Sequence, residues 1–211
     1  MENPVLIFGA GSLGVTALDI FQRNQVVVYG FLDDSQALHG KEFGDVSVLG
    51  DTDDDGFLKL IGHKCEACVA IADTRVRKRL VKLLHERRKV QPVNAVHDQA
   101  TVAASAAIGH GNLIAAGAVV NAFATVGQHC IVQSGAVIDA QATLGDFVHV
   151  GAGSVVNSGA VVENEVFVGT GATIVAGITV GKGARIGAGS VVVENVEAGA
   201  TVFGNPAKKI G

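Results

Sequence analysis

The sequence predicts two domains of different structural class: an α/β domain with Rossmann-like winding over residues 1–92, then an all-β parallel β-helix over residues 93–211. In the first half, short apolar runs alternate with amphipathic runs, as in βαβ units. In the second half, an aliphatic residue recurs at every sixth position. The charges follow the same division, because residues 1–90 hold 25 of the 36 charged side chains. The second half therefore needs another source of stability.

The first half contains its elements in the order expected for a parallel sheet. Three apolar runs predict strands: PVLIFGAG, QVVVYGFLDD and ACVAIAD. Three further runs predict helices: SLGVTALDIFQRN, DDDGFLKLIG and TRVRKRLVKLLHERR. This repeated strand–helix order predicts a small parallel sheet.

The second half is a hexapeptide repeat. Seventeen aliphatic residues, each six positions after the last, run from Val96 to Val192, and in twelve units the residue two positions earlier is Ala, Ser or Cys, as at Ala118 and Ser154. Three short strands then form a triangular coil of 18 residues, with the aliphatic residue inside and the small residue in the tight corner. Successive coils would pair their backbones at about 4.8 Å. The tail, residues 193–211, leaves the period and is expected to cap the open end.

A glycine-rich motif follows the first predicted strand. GAGSLG, at Gly9–Gly14, fits the G-x-G-x-x-G dinucleotide fingerprint between a strand and a helix. Asp33 and Asp34 stand after the second strand, where that fingerprint expects an acidic residue. The amides at a helix N-terminus suit an anionic ligand. From the residues alone, a nucleotide site, an NAD-like site and a packing turn all stay open.

Charge and hydropathy exclude several classes of partner. The net charge of −4 argues against nucleic acid, although residues 74–89 hold eight basic side chains and one acid. We interpret that basic run as a solvated helix face. No signal-peptide pattern and no membrane span of ~18 apolar residues is found, so a cytoplasmic location is expected and no membrane partner.

Three cysteines raise the question of metal or redox chemistry. Cys65 and Cys68 have a CxxC spacing, but no second ligand pair follows at a suitable distance. We expect ordinary buried thiols, with Cys130 among them, and no metal.

The unbroken hexapeptides followed by VFGNPAKKI resemble the left-handed parallel β-helix acyltransferases. The whole chain resembles the sialic acid O-acetyltransferase and bacillosamine N-acetyltransferase family, in which a small Rossmann-like domain precedes the β-helix. Four segments carry the resemblance: GFLDD at 30–34, GDFVHV at 145–150, IGAGSVV at 186–192 and GNPAKKI at 204–210. It implies a homotrimer, with acyl-CoA in the groove between neighbouring β-helices and a nucleotide-linked sugar held partly by the first domain.

The resemblance also implies binding residues. The nucleotide sugar is expected at Gly9, Gly11, Ser12, Leu13, Asp33, Asp34, Ala72 and Asp73. The acyl-CoA, with acetyl-CoA as co-substrate and no permanently bound cofactor, is expected at Ser158, Gly159, Ala176, Gly177, Lys182 and Ala188. Leu13 stands where the family motif has a histidine, so the sugar itself is not identified.

The catalytic position departs from the family pattern. Acyl transfer to an amine needs a base with a pKa near 7, and the family supplies a histidine in IDHD. Here the four residues read Ile138-Asp139-Ala140-Gln141, so Ala140 replaces the histidine and Gln141 the acid that orients it. His149, in GDFVHV, matches a second family histidine. We expect His149 as the base, with Gln141 beside the reaction, and a structural or ligand-contact role for His149 as the alternative.

Three functions are weighed on this basis. The first is an acyl-CoA-dependent acyltransferase acting on a nucleotide-linked amino sugar in surface polysaccharide or glycan biosynthesis. The second is a catalytically inactive relative that binds nucleotide sugar or CoA, suggested by the paired loss at 140 and 141. The third is a γ-type carbonic anhydrase, for which His129 and His149 are too few ligands.

Overall fold

The computed structural model describes residues 3–210, and the chain divides into two compact units, residues 1–98 and 99–211. The division by contacts thus follows Asp98, whereas the change in sequence character falls near Pro92. Each unit is described by itself below.

The first unit is an α/β fold with a five-stranded sheet. Its elements are β1 (Val5–Phe8), α1 (Ser12–Arg23), β2 (Val28–Leu32), a 3-10 turn (Gln36–Leu38), β3 (Glu42–Phe43), β4 (Val46–Gly50), α2 (Asp55–Leu58), β5 (Glu66–Val69), α3 (Thr74–Arg88) and β6 (Ala95–Val96). The strand order is β3-β4-β2-β1-β5, and all pairs are parallel except β3 with β4. The three predicted strands and three predicted helices are all present.

Two strands lie in a segment for which the sequence predicts none. β3 and β4 form an antiparallel hairpin around Gly44, and β4 adds to the sheet parallel to β2. The connection from β2 to β4 therefore contains a 3-10 turn and a strand in place of a helix. The sequence offers only the short alternation Val46-Ser47-Val48, and in the structure Val46 and Val48 are buried between less buried residues, as in a strand with one covered face.

Helices cover the sheet of the first unit. Leu80 and Leu84 of α3 pack in one buried cluster with Leu6 and Phe8 of β1. In α1, the buried face includes Leu13, Ala17, Ile20 and Phe21. The apolar sides of both helices thus exclude water from the strands, which leaves the ends of the strands as the accessible part of the sheet.

The second unit is a left-handed β-helix of two-residue strands with a C-terminal cap. Its strands are β7 (Thr101–Val102), β8 (Ala107–Ile108), β9 (Leu113–Ile114), β10 (Val119–Val120), β11 (Thr125–Val126), β12 (Ile131–Val132), β13 (Val137–Ile138), β14 (Thr143–Leu144), β15 (His149–Val150), β16 (Val155–Val156), β17 (Val161–Val162), β18 (Phe167–Val168), β19 (Thr173–Ile174), β20 (Thr179–Val180), β21 (Arg185–Ile186), β22 (Val191–Val192), β23 (Thr201–Phe203) and β24 (Lys208–Lys209). Within β7 to β22, each strand pairs in parallel with the one 18 residues later, as Val120 does with Ile138.

The strands form three faces. The first face is β7-β10-β13-β16-β19-β22, the second is β8-β11-β14-β17-β20, and the third runs from β9 through β12, β15, β18, β21 and β23 to β24. We name the turns from the first to the second face the first corner, those from the second to the third face the second corner, and those from the third back to the first face the third corner.

The aliphatic repeat fills the interior, as predicted. From Ile114 to Val192, each of these residues is no more than 1% exposed. Val102 is 36% exposed because its strand, β7, pairs only with β10 and has no coil below it. The small residues, such as Ala118 and Ser154, are fully buried at the turns. The repeat thus encodes a continuous core.

From Gly111 to Gly189, every sixth residue is in the left-handed conformation, and each lies in a turn between two faces. Most of these residues are glycines, since an L side chain strains this conformation. Five of them carry side chains: Phe123, His129, Gln141, Phe147 and Glu165. Gln141 has a φ of 61° and sits at the first corner.

The tail closes the last coil, because β24 turns back antiparallel to β23. Among the described residues, no helix is long and apolar enough to cross a membrane.

Candidate functional site

A cavity of about 320 Å³ opens in the first unit, where β1, β2 and β5 end. It is lined by Gly9, Gly11, Ser12, Leu13, Asp33, Asp34, Thr52, Ala70, Ile71, Ala72 and Val76. The structure brings together seven of the eight residues predicted to bind the nucleotide sugar. The eighth, Asp73, caps α3 instead of lining the cavity. Thr52 was not predicted, because it belongs to the loop after the unexpected β4.

Two glycines set the shape of the loop before α1. Gly9 has a φ of +102°, and a Cβ on Gly14 would lie 2.0 Å from the carbonyl oxygen of Gly9. The helix therefore starts in close contact with the end of β1, as the third glycine of the fingerprint requires. No side chain caps the N-terminus of α1, whose N-cap residue is Gly11. Its first amides are thus available to a ligand in the cavity.

The two adjacent aspartates differ in their partners. Asp33 accepts hydrogen bonds from the backbone N–H of Ala10 at 2.8 Å and of Ser35 at 2.9 Å. Asp34 accepts from the backbone N–H and the hydroxyl of Thr52 at 3.0 and 2.6 Å, and from Arg79 at 2.9 Å. Burial by itself would raise the pKa of Asp34, but the Thr52 hydrogen bonds and Arg79 together hold it below its ordinary value. Hydrogen bonds to both oxygens therefore fix the orientation of each carboxylate.

The loop between β5 and α3 forms another wall of the cavity. Asp73 accepts hydrogen bonds from the backbone N–H of Val76 and of Arg75, and these lower its pKa. Arg77, one turn into α3, is 1% exposed and donates from one Nη to the carbonyl oxygens of Ile71 at 2.7 Å and Ala72 at 3.0 Å. A buried guanidinium thus stands behind the wall to which Ile71 and Ala72 belong.

In the second unit, Ala140 and Gln141 lie at the first corner. The neighbouring Asp139 accepts hydrogen bonds from the hydroxyl of Ser158 and, at 2.9 Å, from the amide of Asn121. The Ser158 hydroxyl, the backbone N–H of Ala140 and Asn121 hold the pKa of Asp139 below its ordinary value. This carboxylate is therefore a weak base at neutral pH.

His149 lies elsewhere on the same coil. It is on the third face between Ile131 and Phe167, is 5% exposed, and contacts the Phe167 ring edge-on at 5.0 Å. The third face is opposite the first corner in the triangular section. Within one chain, the structure therefore does not bring His149 together with Ala140 and Gln141.

The six residues predicted to bind acyl-CoA occupy three different corners. Ser158 with Gly159, and Ala176 with Gly177, continue the first corner above Ala140 and Gln141 at the 18-residue spacing of the coils. Lys182 is at the second corner, where its Nζ lies 3.8 Å from Glu165, and Ala188 is at the third corner. One chain thus unites four of them, in a column along the first corner.

The cysteines are buried thiols. Burial raises the pKa of Cys68 to about 12 and also raises that of Cys65. Cys130 lies inside the β-helix and its Sγ donates to the carbonyl oxygen of Gly145 at 3.0 Å. Within residues 3–210, no three His, Cys, Asp or Glu side chains come together in a group that could hold a metal ion.

Comparisons with known proteins match both units. Residues 4–84 match the family model of the PglD N-terminal domain, and residues 159–194 match that of the hexapeptide repeat of succinyl-transferase. A search of curated protein sequences finds no match.

Among solved structures, similar chains include histidine-to-asparagine and histidine-to-alanine variants of perosamine N-acetyltransferase from Caulobacter crescentus, each in complex with CoA and GDP-perosamine. These are 30% identical, with a TM-score of 0.92 over 100% of this chain and 98% of theirs. The acetyltransferase domain of PglB from Neisseria gonorrhoeae, in complex with acetyl coenzyme A, is 27% identical, with a TM-score of 0.90 over 100% of both chains. WeeI from Acinetobacter baumannii is 26% identical, with a TM-score of 0.87 over 98% of this chain and 99% of its own.

A Rossmann-like unit with a glycine-rich cavity, followed by a left-handed β-helix, defines the class of hexapeptide-repeat sugar acyltransferases. Within that class, the chain belongs to the family of sugar N-acetyltransferases that contains the perosamine enzyme of Caulobacter crescentus. The comparisons support a transferase that uses CoA, and they support neither the inactive relative nor the carbonic anhydrase.

Proposed function

We propose that this protein transfers an acetyl group from acetyl-CoA to the amine of a nucleotide-linked amino sugar. The observation that carries the proposal is the match, at 30% identity over nearly the whole of both chains, to an N-acetyltransferase solved with CoA and GDP-perosamine. Because both units match, the nucleotide-sugar half and the acyl-transfer half of such an enzyme have counterparts here.

The cavity of the first unit suits the nucleotide half of the substrate. The uncapped amides of α1 favour a phosphate group. Asp33 and Asp34 directly follow β2, and carboxylates in this position of a Rossmann-like fold accept hydrogen bonds from ribose hydroxyls. Leu13 presents an apolar side chain to the same cavity. These features support a sugar nucleotide as the ligand of the cavity, and none of them points to nicotinamide chemistry.

The acetyl-CoA is proposed to lie along the first corner, in a homotrimer. Ser158, Gly159, Ala176 and Gly177 offer small side chains in a column, and a Cβ on Gly159 or Gly177 would meet no atom within 4 Å. A long, thin ligand can therefore run along this edge. A second copy of the chain would supply the opposite wall of the groove.

The proton of the attacking amine needs an acceptor. Ala140 has no titratable group, Gln141 exchanges no proton near neutral pH, and the three hydrogen bonds to Asp139 lower its pKa. We propose that His149 of a neighbouring copy takes this role, because the third face and the first corner can meet at one site only across two copies. The sugar amine attacks the thioester carbon, the C–S bond breaks, and the proton passes through His149 to the leaving CoA thiolate.

Thiol release tests the proposed reaction. Acetyl-CoA is incubated with UDP-, dTDP- and GDP-linked 4-amino sugars, and free CoA and the acetylated sugar are measured together. We expect equal amounts of both products with at least one acceptor. Absence of turnover with every acceptor, in a preparation that binds acetyl-CoA, would overturn the proposal.

Paired histidine variants test the base. His149→Asn should lower kcat by about 10²-fold or more, the ordinary contribution of a general base. His110→Asn, which changes an exposed histidine of the same β-helix, should stay within about twofold. Placing histidine at Ala140 and glutamate at Gln141 together should raise kcat, since the cleft would gain the family's base. Full activity of His149→Asn would exclude His149 as the base.

A further inference from the structure

Arg77 is a buried cation that the proposed reaction does not use directly. It lies on α3, is 1% exposed, and sends hydrogen bonds to the backbone of the loop that precedes its own helix. A buried guanidinium needs good partners to offset its lost hydration. Two of its partners are consecutive carbonyl oxygens, those of Ile71 and Ala72, at 2.7 and 3.0 Å.

The geometry of the peptide bond determines where the other side of this loop faces. Among the described residues, the only cis peptide bond precedes Pro206, so the peptides from Ile71 to Ala72 and from Ala72 to Asp73 are trans. In a trans peptide, the N–H points opposite to the C=O. When Arg77 holds both carbonyls, the N–H groups of Ala72 and Asp73 therefore point away from the guanidinium.

Those two amides are available to a ligand. Within residues 3–210, neither the N–H of Ala72 nor that of Asp73 donates a hydrogen bond to the protein. Ala72 lines the cavity, across which the uncapped N-terminus of α1 contributes Ser12 and Leu13. Successive backbone N–H groups turned to one side form a concave anion-binding site.

We infer that Arg77 is a positioning residue, whose guanidinium turns the Ala72 and Asp73 amides toward the diphosphate of the substrate. The inference rests on the proposed function, since it assumes that the cavity takes a nucleotide diphosphate. Arg77 does not touch the substrate. It holds the Ala72 amide in the cavity wall and the Asp73 amide next to it, and its buried positive charge adds to the attraction of an anion at short range.

The test compares Arg77→Lys with Arg87→Lys, an exposed arginine on the same helix. A lysine keeps the charge, but its side chain is one atom shorter and ends in a single ammonium, which should not hold both carbonyl oxygens at these distances. Arg77→Lys should raise the Kd for UDP and GDP, measured by calorimetry, about tenfold, which corresponds to weakening two hydrogen bonds to a charged group. The Kd for acetyl-CoA should stay unchanged, and KM for the sugar nucleotide should rise with kcat within about twofold. Arg87→Lys should match the unsubstituted protein in all four quantities.

A second measurement does not depend on the identity of the nucleotide. In ¹⁵N-labelled full-length protein, inorganic pyrophosphate should shift the Ala72 and Asp73 amide resonances, and Arg77→Lys should abolish those shifts while its other resonances show a folded chain. Unshifted amides in the unsubstituted protein, or unchanged shifts in Arg77→Lys, would overturn the role of Arg77. Failure of every nucleotide sugar to bind, with the pyrophosphate response present, would overturn the proposed substrate and leave the role of Arg77 standing.

Discussion

Gly14→Ala should damage the first unit far more than Gly11→Ala, although the two glycines belong to one motif. A Cβ on Gly14 would lie 2.0 Å from the carbonyl oxygen of Gly9, whereas ordinary contacts begin at 3.4 Å. The start of α1 must therefore move by roughly 1.4 Å, a shift that also displaces the buried side chains Leu13 and Ala17 from the sheet.

The magnitude follows from the cost of overpacking a rigid contact. Inserting a methyl group into well-packed structure costs about 1–3 kcal/mol, and the upper end applies because the clash is with backbone. For a domain of about 100 residues, 3 kcal/mol lowers Tm by roughly 10–20 °C. Circular dichroism at 222 nm measures this unit selectively, because all α-helices in residues 3–210 lie within it.

Gly11→Ala is the matched control. Gly11 has a φ of −81°, and a Cβ there would meet no atom within 4 Å. Its cost should stay below about 1 kcal/mol, the preference of an N-cap position for glycine over alanine. Equal melting temperatures for Gly14→Ala and Gly11→Ala would refute the steric account of the glycine motif.

Three further predictions follow from packing and titration. Gly151→Ala should destabilise the β-helix more than Gly153→Ala, because the new Cβ at position 151 would lie 2.6 Å from the backbone nitrogen of Thr170 in the next coil. At Gly153 there is open space, and the φ of +64° costs an alanine about 1–2 kcal/mol. Thermal unfolding followed by near-ultraviolet absorbance or calorimetry should give that order of stability, and the reverse order would contradict the prediction. Because folding lowers the pKa of Asp34, its ionised form stabilises the protein above the ordinary carboxyl pKa, and this stabilisation is lost as the pH falls through the pKa of the folded state. The urea midpoint of Asp34→Asn should therefore fall less steeply with acid than that of the unsubstituted protein. Parallel curves for the two proteins would argue against the pKa shift. Cys68, with a pKa of about 12, should resist Ellman's reagent until the protein unfolds, so rapid labelling of the folded protein at Cys68 would show that it is accessible.

The sequence was most informative where one physical rule acts at every repeat. Each coil requires an inward aliphatic residue at every sixth position, so a polar residue in this series would show at once in the sequence. None occurs between Ile114 and Val192. The glycine motif was similarly readable, because a tight turn and a close helix approach each require glycine at a fixed offset. The cavity then brought together most of the residues that these signals indicated.

What the sequence did not predict depends on contacts between distant segments. Thr52 reaches the cavity only because β4 joins the sheet beside β2, and a strand of five residues gives a weak signal in the sequence. The sequence did not indicate the role of Arg77, because Arg77 is one of eight basic residues in a run that is typical of a solvated helix face. Neither composition nor spacing shows which of the eight is buried. The separation of His149 from Gln141 depends on the three-faced section of the β-helix, which places two residues eight positions apart on opposite sides of the coil.

The pairing of residues 18 apart has a consequence for how such a protein changes length. A single inserted residue would turn every later aliphatic side chain out of the interior, whereas an insertion of 18 residues would add one coil and leave all others in register. The edge that carries Ala140, Ser158 and Ala176 can therefore grow or shrink only in steps of one coil, about 4.8 Å. The number of coils therefore determines the length of the ligand that can lie along the groove.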